Sequence, residues 1–243
     1  TILYDQHISL NAKIVDFAGY KMPINYSKGI NFECESVRFN SGLFDVSHMG
    51  QILIEGGDSD TFVQNLTTND VSKLNNGQCQ YSCICNESGG IIDDLIIYRI
   101  NENHYFLVVN ASNIQKDWEW ISSHNDLGVE MEDVSDEYSL LAIQGPKAAA
   151  AMQALTEVDL VNMKYYTFQL GGFAGKENVM ISATGYTGSG GFEIYVKNAD
   201  AIDVWNAVLE AGKEYNIKPI GLAARDTLRL EMGFCLYGND IDD

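Results

Sequence analysis

One pattern recurs along this chain and limits the folds open to it. From Gln51 to Glu55 the residues alternate as a strand, turn at Gly56-Gly57-Asp58, and change to helical spacing through Phe62, Val63 and Leu66, with Asp58 or Ser59 as the cap. Strand-like Gln78 to Cys85 crosses Asn86-Glu87-Ser88-Gly89-Gly90 into a second strand. Tyr105 to Asn110 pairs back, and a helix beginning near Asn113 buries Trp118 and Ile121. The second half repeats this grammar. Leu140 to Ile143 is a strand, and Gln144-Gly145-Pro146 opens a helix that runs through Met152 and Leu155. Val179 to Ala183 is a strand, Thr184 to Gly191 a glycine-rich turn, and Phe192 to Val196 a strand. A helix then carries Ile202, Trp205, Val208 and Leu209 and ends at Gly212. Each half reads strand, helix, strand, Gly-Gly turn, strand, helix. The fold class expected is α+β, a duplicated pair of α+β subdomains with mainly antiparallel sheets.

Acidic residues follow the Gly-Gly pair in both halves: Asp93 and Asp94 after Gly89-Gly90, and Glu193 after Gly190-Gly191. Side chains of a strand alternate, so Ile92, Asp94, Ile96 and Tyr98 share one face, and Ile91, Asp93, Leu95, Ile97 and Arg99 the other. Both faces are largely apolar. A carboxylate in such a strand is paired, hydrogen-bonded or held for chemistry. If the halves pack about a pseudo-twofold axis, the acids following both turns face one shared cleft.

The charge balance narrows the partners. With 34 acidic and 15 basic residues, the net charge is -19. Nucleic acid needs a basic stripe and an anionic membrane a basic patch, so neither is expected as a partner. Only Arg38, Arg99, Arg225 and Arg229 supply guanidinium groups. In so acidic a chain, each is either a carboxylate ligand near a cleft or half of a surface ion pair. Arg225 and Arg229 fall on one stripe of a helix expected over Ile220 to Met232, with Asp226 and Glu231 close by. The cysteines at 34, 79, 83, 85 and 235 lack zinc spacing and read as reduced packing residues of a cytoplasmic protein, or of the mitochondrial matrix if the source is eukaryotic. Asp45 and His48 have the spacing of a metal or proton-transfer pair, but no second cluster accompanies them, so no metal is expected. Thr184 to Glu193 is glycine-rich yet lacks the Gly-Lys-Ser/Thr ending of a phosphate loop and runs into a strand, which suits a hairpin.

Four stretches taken together carry more than any one of them. Leu43-Phe44-Asp45-Val46-Ser47-His48-Met49-Gly50, Gly89-Gly90-Ile91-Ile92-Asp93-Asp94-Leu95, Thr184-Gly185-Tyr186-Thr187-Gly188 through Gly191-Phe192-Glu193, and Gly221-Leu222-Ala223-Ala224-Arg225-Asp226 resemble the T-protein family of the glycine cleavage system, the aminomethyltransferases. Asp16-Phe17-Ala18-Gly19-Tyr20-Lys21-Met22-Pro23 and Leu236-Tyr237-Gly238-Asn239-Asp240 fit the same family, in order along the chain. The resemblance implies transfer of a one-carbon unit from the aminomethyl-dihydrolipoyl arm of a carrier, H-protein, to the co-substrate tetrahydrofolate, with release of ammonia. It implies a folate cavity central to two intertwined subdomains, roughly 1–50 with 137–218 and 51–136 with 219–243, and a C-terminal β-barrel domain absent from this stretch. By the same resemblance Asp94 is the catalytic acid, and Glu193, Arg225, Tyr186, Tyr81, Tyr98 and Asn110 bind folate. Two other functions remain open at this point: a non-catalytic folate-binding relative in iron–sulfur protein maintenance, and the folate module of a sarcosine- or dimethylglycine-demethylating enzyme.

Overall fold

The computed structural model describes all residues from Thr1 to Asp243. The chain begins with helix α1 (Tyr4–Ser9), the hairpin of β1 (Lys13–Phe17) and β2 (Tyr20–Asn25), helix α2 (Ile30–Phe39) and strand β3 (Gly42–Asp45). It continues as β4 (Gly50–Glu55), α3 (Ser59–Leu66), β5 (Gln78–Cys85), β6 (Ile91–Asn101), β7 (His104–Val109), α4 (Ile114–Ser123) and β8 (Glu130–Asp133). The same series follows as β9 (Tyr138–Gln144), α5 (Ala148–Met152), β10 (Phe168–Phe173), β11 (Lys176–Ser182), β12 (Gly191–Lys197), α6 (Ala201–Ala211) and β13 (Lys218–Ile220), before α7 (Leu222–Glu231). None of these helices is long and apolar enough to cross a membrane.

The chain divides into two compact units, Thr1–His48 with Glu137–Phe234, and Met49–Asp136 with Cys235–Asp243. One segment departs from the expected division. Residues 219–234 join the first unit, because β13 pairs in parallel with β3 and α7 packs on α2 and β2. Only the tail from Cys235 belongs to the second unit, where the Asp242 carbonyl accepts from Ile91 N at 2.8 Å.

Strand order makes the duplication explicit. The second unit's sheet runs β5-β6-β7-β4-β8, and the first unit's runs β10-β11-β12-β9-β3-β13. Elements β4 to β8 therefore correspond to β9 to β13, with β3 inserted between β9 and β13. Apart from the β3–β13 pair the ladders are antiparallel, and the fold is α+β. The correspondence also separates the two Gly-Gly turns. Gly89-Gly90 closes the β5–β6 hairpin, whereas Gly190-Gly191 leads into β12, the counterpart of β7. Asp94 and Glu193 are thus not repeat mates, contrary to expectation. Both turns need glycine for the same local reason, positive φ (Gly89 at 92°, Gly190 at 72°), and a hairpin at any place in a sheet imposes it.

Each sheet is covered by its own helices. In the first unit Val204, Trp205 and Val208 of α6 pack with Leu141, Ile143, Ile181 and Ile194, and Trp205 is wholly buried. In the second unit Phe62 and Val63 of α3 and Ile121 of α4 pack with Ile52, Ile54, Leu95, Ile97 and Leu107. Burial of each such side chain contributes roughly 1.5–3 kcal/mol. Helix α5 is shorter than its pattern suggests. The Gln153 amide bonds the Thr156 and Val158 carbonyls, and the chain passes into a single 3₁₀ turn at Gln153–Leu155.

A bulge alters the strand that carries the paired acids. Ile84 pairs with Asp93 but Cys85 with Ile91, leaving Ile92 as the extra residue. Ile92 turns into the same core as Leu95 and Ile97 and does not share a face with Asp94 and Ile96, as strict alternation would require.

Candidate active site

In the second unit, the face of β5 and β6 turned away from α3 and α4 holds Asp94. Tyr81 on β5 donates from its hydroxyl to Asp94 Oδ2 at 2.8 Å, and Asn110, at the end of β7, donates from Nδ2 to Asp94 Oδ1 at 2.6 Å. Burial raises the Asp94 pKa above the usual carboxylate value, helped by the neighbouring charge of Asp93, while the bonds from Tyr81 and Asn110 restrain the rise. Burial and the Asp94 charge push the Tyr81 phenol far upward, so that hydroxyl stays a donor. A half-buried carboxylate of raised proton affinity can accept a proton or stabilise a nearby cation.

Asp93 has a different role. It is fully buried, and its carboxylate accepts from Asn110 N at 2.9 Å, Asn110 Nδ2 at 2.8 Å and Asn113 Nδ2 at 2.7 Å. Arg99, which shares its face, instead donates to the Leu74 carbonyl at 2.9 Å and approaches Asp60 at 3.7 Å. Asn110 thereby links both acids through one amide. Tyr98 lies on the Asp94 face but has no exposed surface and packs against Phe106, with ring centroids 6.0 Å apart. Its ring lies within the sheet. Cys83, paired across the ladder with Asp94, also contacts Tyr81. A surface cavity beside α3 and α4, lined by Phe62, Leu66, Asn86 and Trp120, includes none of Tyr81, Asp94, Tyr98 or Asn110.

In the first unit, Tyr186, Glu193 and Arg225 surround the glycine-rich loop between β11 and β12. The loop is held from inside by Gln144, whose Nε2 donates to the Thr184 carbonyl at 3.0 Å and whose Oε1 accepts from Thr187 Oγ1 at 2.9 Å. A Cβ on Gly185 would fall 1.9 Å from that same Oε1, so close approach, more than backbone freedom, requires glycine there. Arg38 of α2 fastens the loop from outside, donating to the Thr187 carbonyl, to Ser189 Oγ at 2.7 Å and to Glu231 of α7 at 2.7 Å. Helix α7 is anchored by Glu33, a buried carboxylate that accepts from Gly221 N at 2.8 Å and Tyr26 N at 2.6 Å.

This framework lays the Arg225 guanidinium 4.4 Å from the centre of the Tyr186 ring, which also stacks with Phe234 at 6.0 Å. Arg229, the other candidate on the stripe, is buried and committed to Asp226 at 2.8 Å and the Phe234 carbonyl at 3.0 Å; its expected neighbour Glu231 is taken by Arg38. Glu193 receives the Thr184 hydroxyl. Burial raises its pKa, opposed by that hydroxyl and by the positive charge of Arg225. Asp45 is paired not with His48 but with His7, at 2.9 Å. Its pKa falls to about 2, because the hydrogen bond and charge of His7, with Ser47 and Thr1, outweigh complete burial. His48 is buried between Phe17 and Tyr20 with Nδ1 unpartnered, and burial with the charge of Arg225 lowers its pKa to about 3, so the ring is neutral. No group of three or more His, Cys, Asp or Glu side chains stands close enough to hold a metal ion.

Residue type alone did not reveal the roles of Thr184 and Asn113. Thr184 lies two residues past Ser182, the ladder partner of Glu193, and so within reach of that carboxylate, whereas the role of Asn113 depends on packing. The family described as GCVT N-terminal domain matches residues 3–243, and the chain belongs to it. The aminomethyltransferase of Flavobacterium psychrophilum is 66% identical over the whole chain, which covers 67% of that relative. That of Bacteroides fragilis is 56% identical over 98% of the chain and 66% of the relative. The crystal structure of glycine cleavage system aminomethyltransferase T from Bartonella henselae superposes with a TM-score of 0.90 at 36% identity, over 99% of this chain and 64% of that one. The chain thus spans about two thirds of the length of the relatives it matches.

Proposed function

We propose that this chain is the N-terminal portion of a tetrahydrofolate-dependent aminomethyltransferase of glycine cleavage, and that Asp94 is its catalytic acid. The observation that carries the reading is the Asp94 carboxylate, clamped by Tyr81 and Asn110 and raised in proton affinity, on the face of β6 away from the core. In the reaction, the carbon of the aminomethyl group leaves its nitrogen and the carrier's sulfur and becomes bonded to two folate nitrogens. Ammonia departs, the sulfur regains a proton as dihydrolipoyl thiol, and an iminium-like carbon with positive charge forms on the way. Asp94 orients the folate nitrogens and stabilises that charge, and its raised pKa suits it to receive a proton from an attacking amine. Tyr81 and Asn110 fix the carboxylate in one orientation, so no reorganisation is needed when charge develops.

In the first unit, Glu193 is proposed to accept the two adjacent donors of the pterin ring, its ring N–H and 2-amino group, a fork that a carboxylate matches and an amide does not. Arg225 serves a pterin carbonyl or the charged glutamate tail, and Tyr186 provides a flat surface. The partners proposed are tetrahydrofolate and the lipoyl carrier protein, in a cytoplasmic setting or the mitochondrial matrix. The test is folate-dependent ammonia release from aminomethyl-loaded carrier by the full-length protein and its Asp94→Asn form. Turnover should fall by about 10² to 10⁴ with folate binding nearly unchanged. Turnover close to that of the parent would remove Asp94 from the chemistry.

A further inference from the structure

Behind Asp93 lies a second buried acid that the reaction as described does not use. Asp117, one turn into α4, has no exposed surface. Its carboxyl lies against that of Asp93, yet neither of its oxygens meets a hydrogen-bond donor of acceptable geometry. The two acids are not equivalent. Asp93 collects three N–H donors, two on Oδ1 and one on Oδ2, the environment of an ionised carboxylate. Asp117 has no donors and faces a negative charge, and an ionised group so placed carries its full desolvation cost uncompensated. The charged groups facing it are Asp93 and Asp94 from β6 and Lys116 from its own helix. Lys116 does not neutralise it, because its ammonium is spent on the Tyr237 hydroxyl at 2.6 Å and on Asp243 at 3.4 Å.

We propose that Asp117 is held as a neutral acid whose proton is directed at the free lone pair of Asp93 Oδ2, and that this one-proton pair is a positioning device for Asp94. The coupling runs through one side chain. Asn110 Nδ2 donates to Asp93 at 2.8 Å and to Asp94 at 2.6 Å, so the orientation of the Asn110 amide is set by the place and charge of Asp93. An ionised Asp117 repels Asp93 and loosens that anchor. A neutral Asp117 leaves Asp93 a pure acceptor, and Asn110 then presents its second hydrogen to Asp94. Burial, followed by the bond and charge of Asp93, raises the Asp117 pKa to about 10, in keeping with a proton retained at neutral pH.

The inference rests on Asp94 being the catalytic acid only for its kinetic part, and the test separates the two. Infrared difference spectra of the full-length protein at about pH 7 should contain the carbonyl stretch of a protonated carboxylic acid. That band should vanish in Asp117→Asn and persist in Asp94→Asn. In the ammonia-release assay, Asp117→Asn, which keeps a neutral donor facing Asp93, should retain turnover within about twofold. Asp117→Leu, which removes the donor, should lose on the order of ten- to a hundredfold in kcat with little change in the KM for tetrahydrofolate. The absence of a protonated-acid band in the parent overturns the proposal, as does equal loss of turnover in the Asn and Leu forms. If Asp94→Asn keeps full turnover while the band behaves as stated, the assignment of Asp94 fails and the one-proton pair stands.

Discussion

Replacing Asp117 with asparagine should make the protein more stable, by an amount that grows with pH. The ordinary pKa of an aspartate is 3.8, and in the folded state burial and Asp93 raise that of Asp117 to about 10. A raised folded pKa means that the folded chain binds a proton the unfolded chain has released. The stabilising contribution is therefore complete below the unfolded value and is lost progressively as pH rises toward the folded one. Each pH unit in that window costs about 1.4 kcal/mol, and neutrality lies about three units above the unfolded value, so the cost at pH 7 is roughly 4 kcal/mol. Water reaching the pair as it charges reduces this to about 2–4 kcal/mol. Asparagine is nearly isosteric, stays neutral throughout and keeps N–H groups to direct at Asp93, so the variant carries none of this cost. The assay is urea unfolding of parent and variant at a series of values from about pH 5 to about pH 9. All other titrating groups are common to both proteins and cancel in the difference. The difference should be smallest at the acid end, about 1–2 kcal/mol near pH 5, and rise by about 1 kcal/mol per unit toward the alkaline end. Parallel stability curves across that range would refute a proton held on Asp117.

Other outcomes follow from single contacts. If Asp94 acts as an ionised acceptor, turnover falls on the acid side through its raised pKa, so the acid limb of the kcat profile should lie above the ordinary range of an aspartate and disappear in Asp94→Asn. Glu193→Gln puts a donor where the pterin needs an acceptor and should weaken tetrahydrofolate binding by about ten- to a hundredfold in a fluorescence titration, with a smaller effect on the bound-state rate. Two adjacent glycines should differ sharply under alanine substitution. Gly190 has φ of 72° and open space around it, so Gly190→Ala costs about 1 kcal/mol of strain. At Gly191, φ is 126° and a Cβ would fall 2.2 Å from the Ile143 carbonyl oxygen, so Gly191→Ala costs about 3 kcal/mol or more by thermal unfolding. Trp205→Ala should cost about 3–5 kcal/mol, and Trp205→Phe much less, because the indole N–H has no partner to lose.

Alternation and turn residues carried most of the elements into view. The β5 boundaries, the β5–β6 hairpin and the span of α6 follow from the period of their apolar residues, because both faces of those elements meet different surroundings. Two of the departures have separate physical causes. The two Gly-Gly turns looked equivalent because hairpins demand the same φ wherever they occur, and only strand order reveals that one precedes the counterpart of β6's partner and not β6 itself. Ile92 was assigned to the wrong face because one extra residue in a bulge inverts the alternation on one side of it, and a bulge leaves no mark in residue type here.

Asp117 is the instructive case, since its position was legible even though its chemistry was not. The buried stripe of α4 runs through Asn113, Asp117 and Ile121, spaced four apart, with Ile114 and Trp118 beside it. An acid on that stripe breaks the amphipathic pattern as plainly as Asp93 and Asp94 break the pattern of β6. Asn113 one turn earlier supplies the amide that Asp93 accepts, so the same stripe delivers a donor and an acid to one carboxylate. That coincidence of spacing requires a single proton between Asp93 and Asp117, because a second negative charge there has no hydrogen bond to offset its burial.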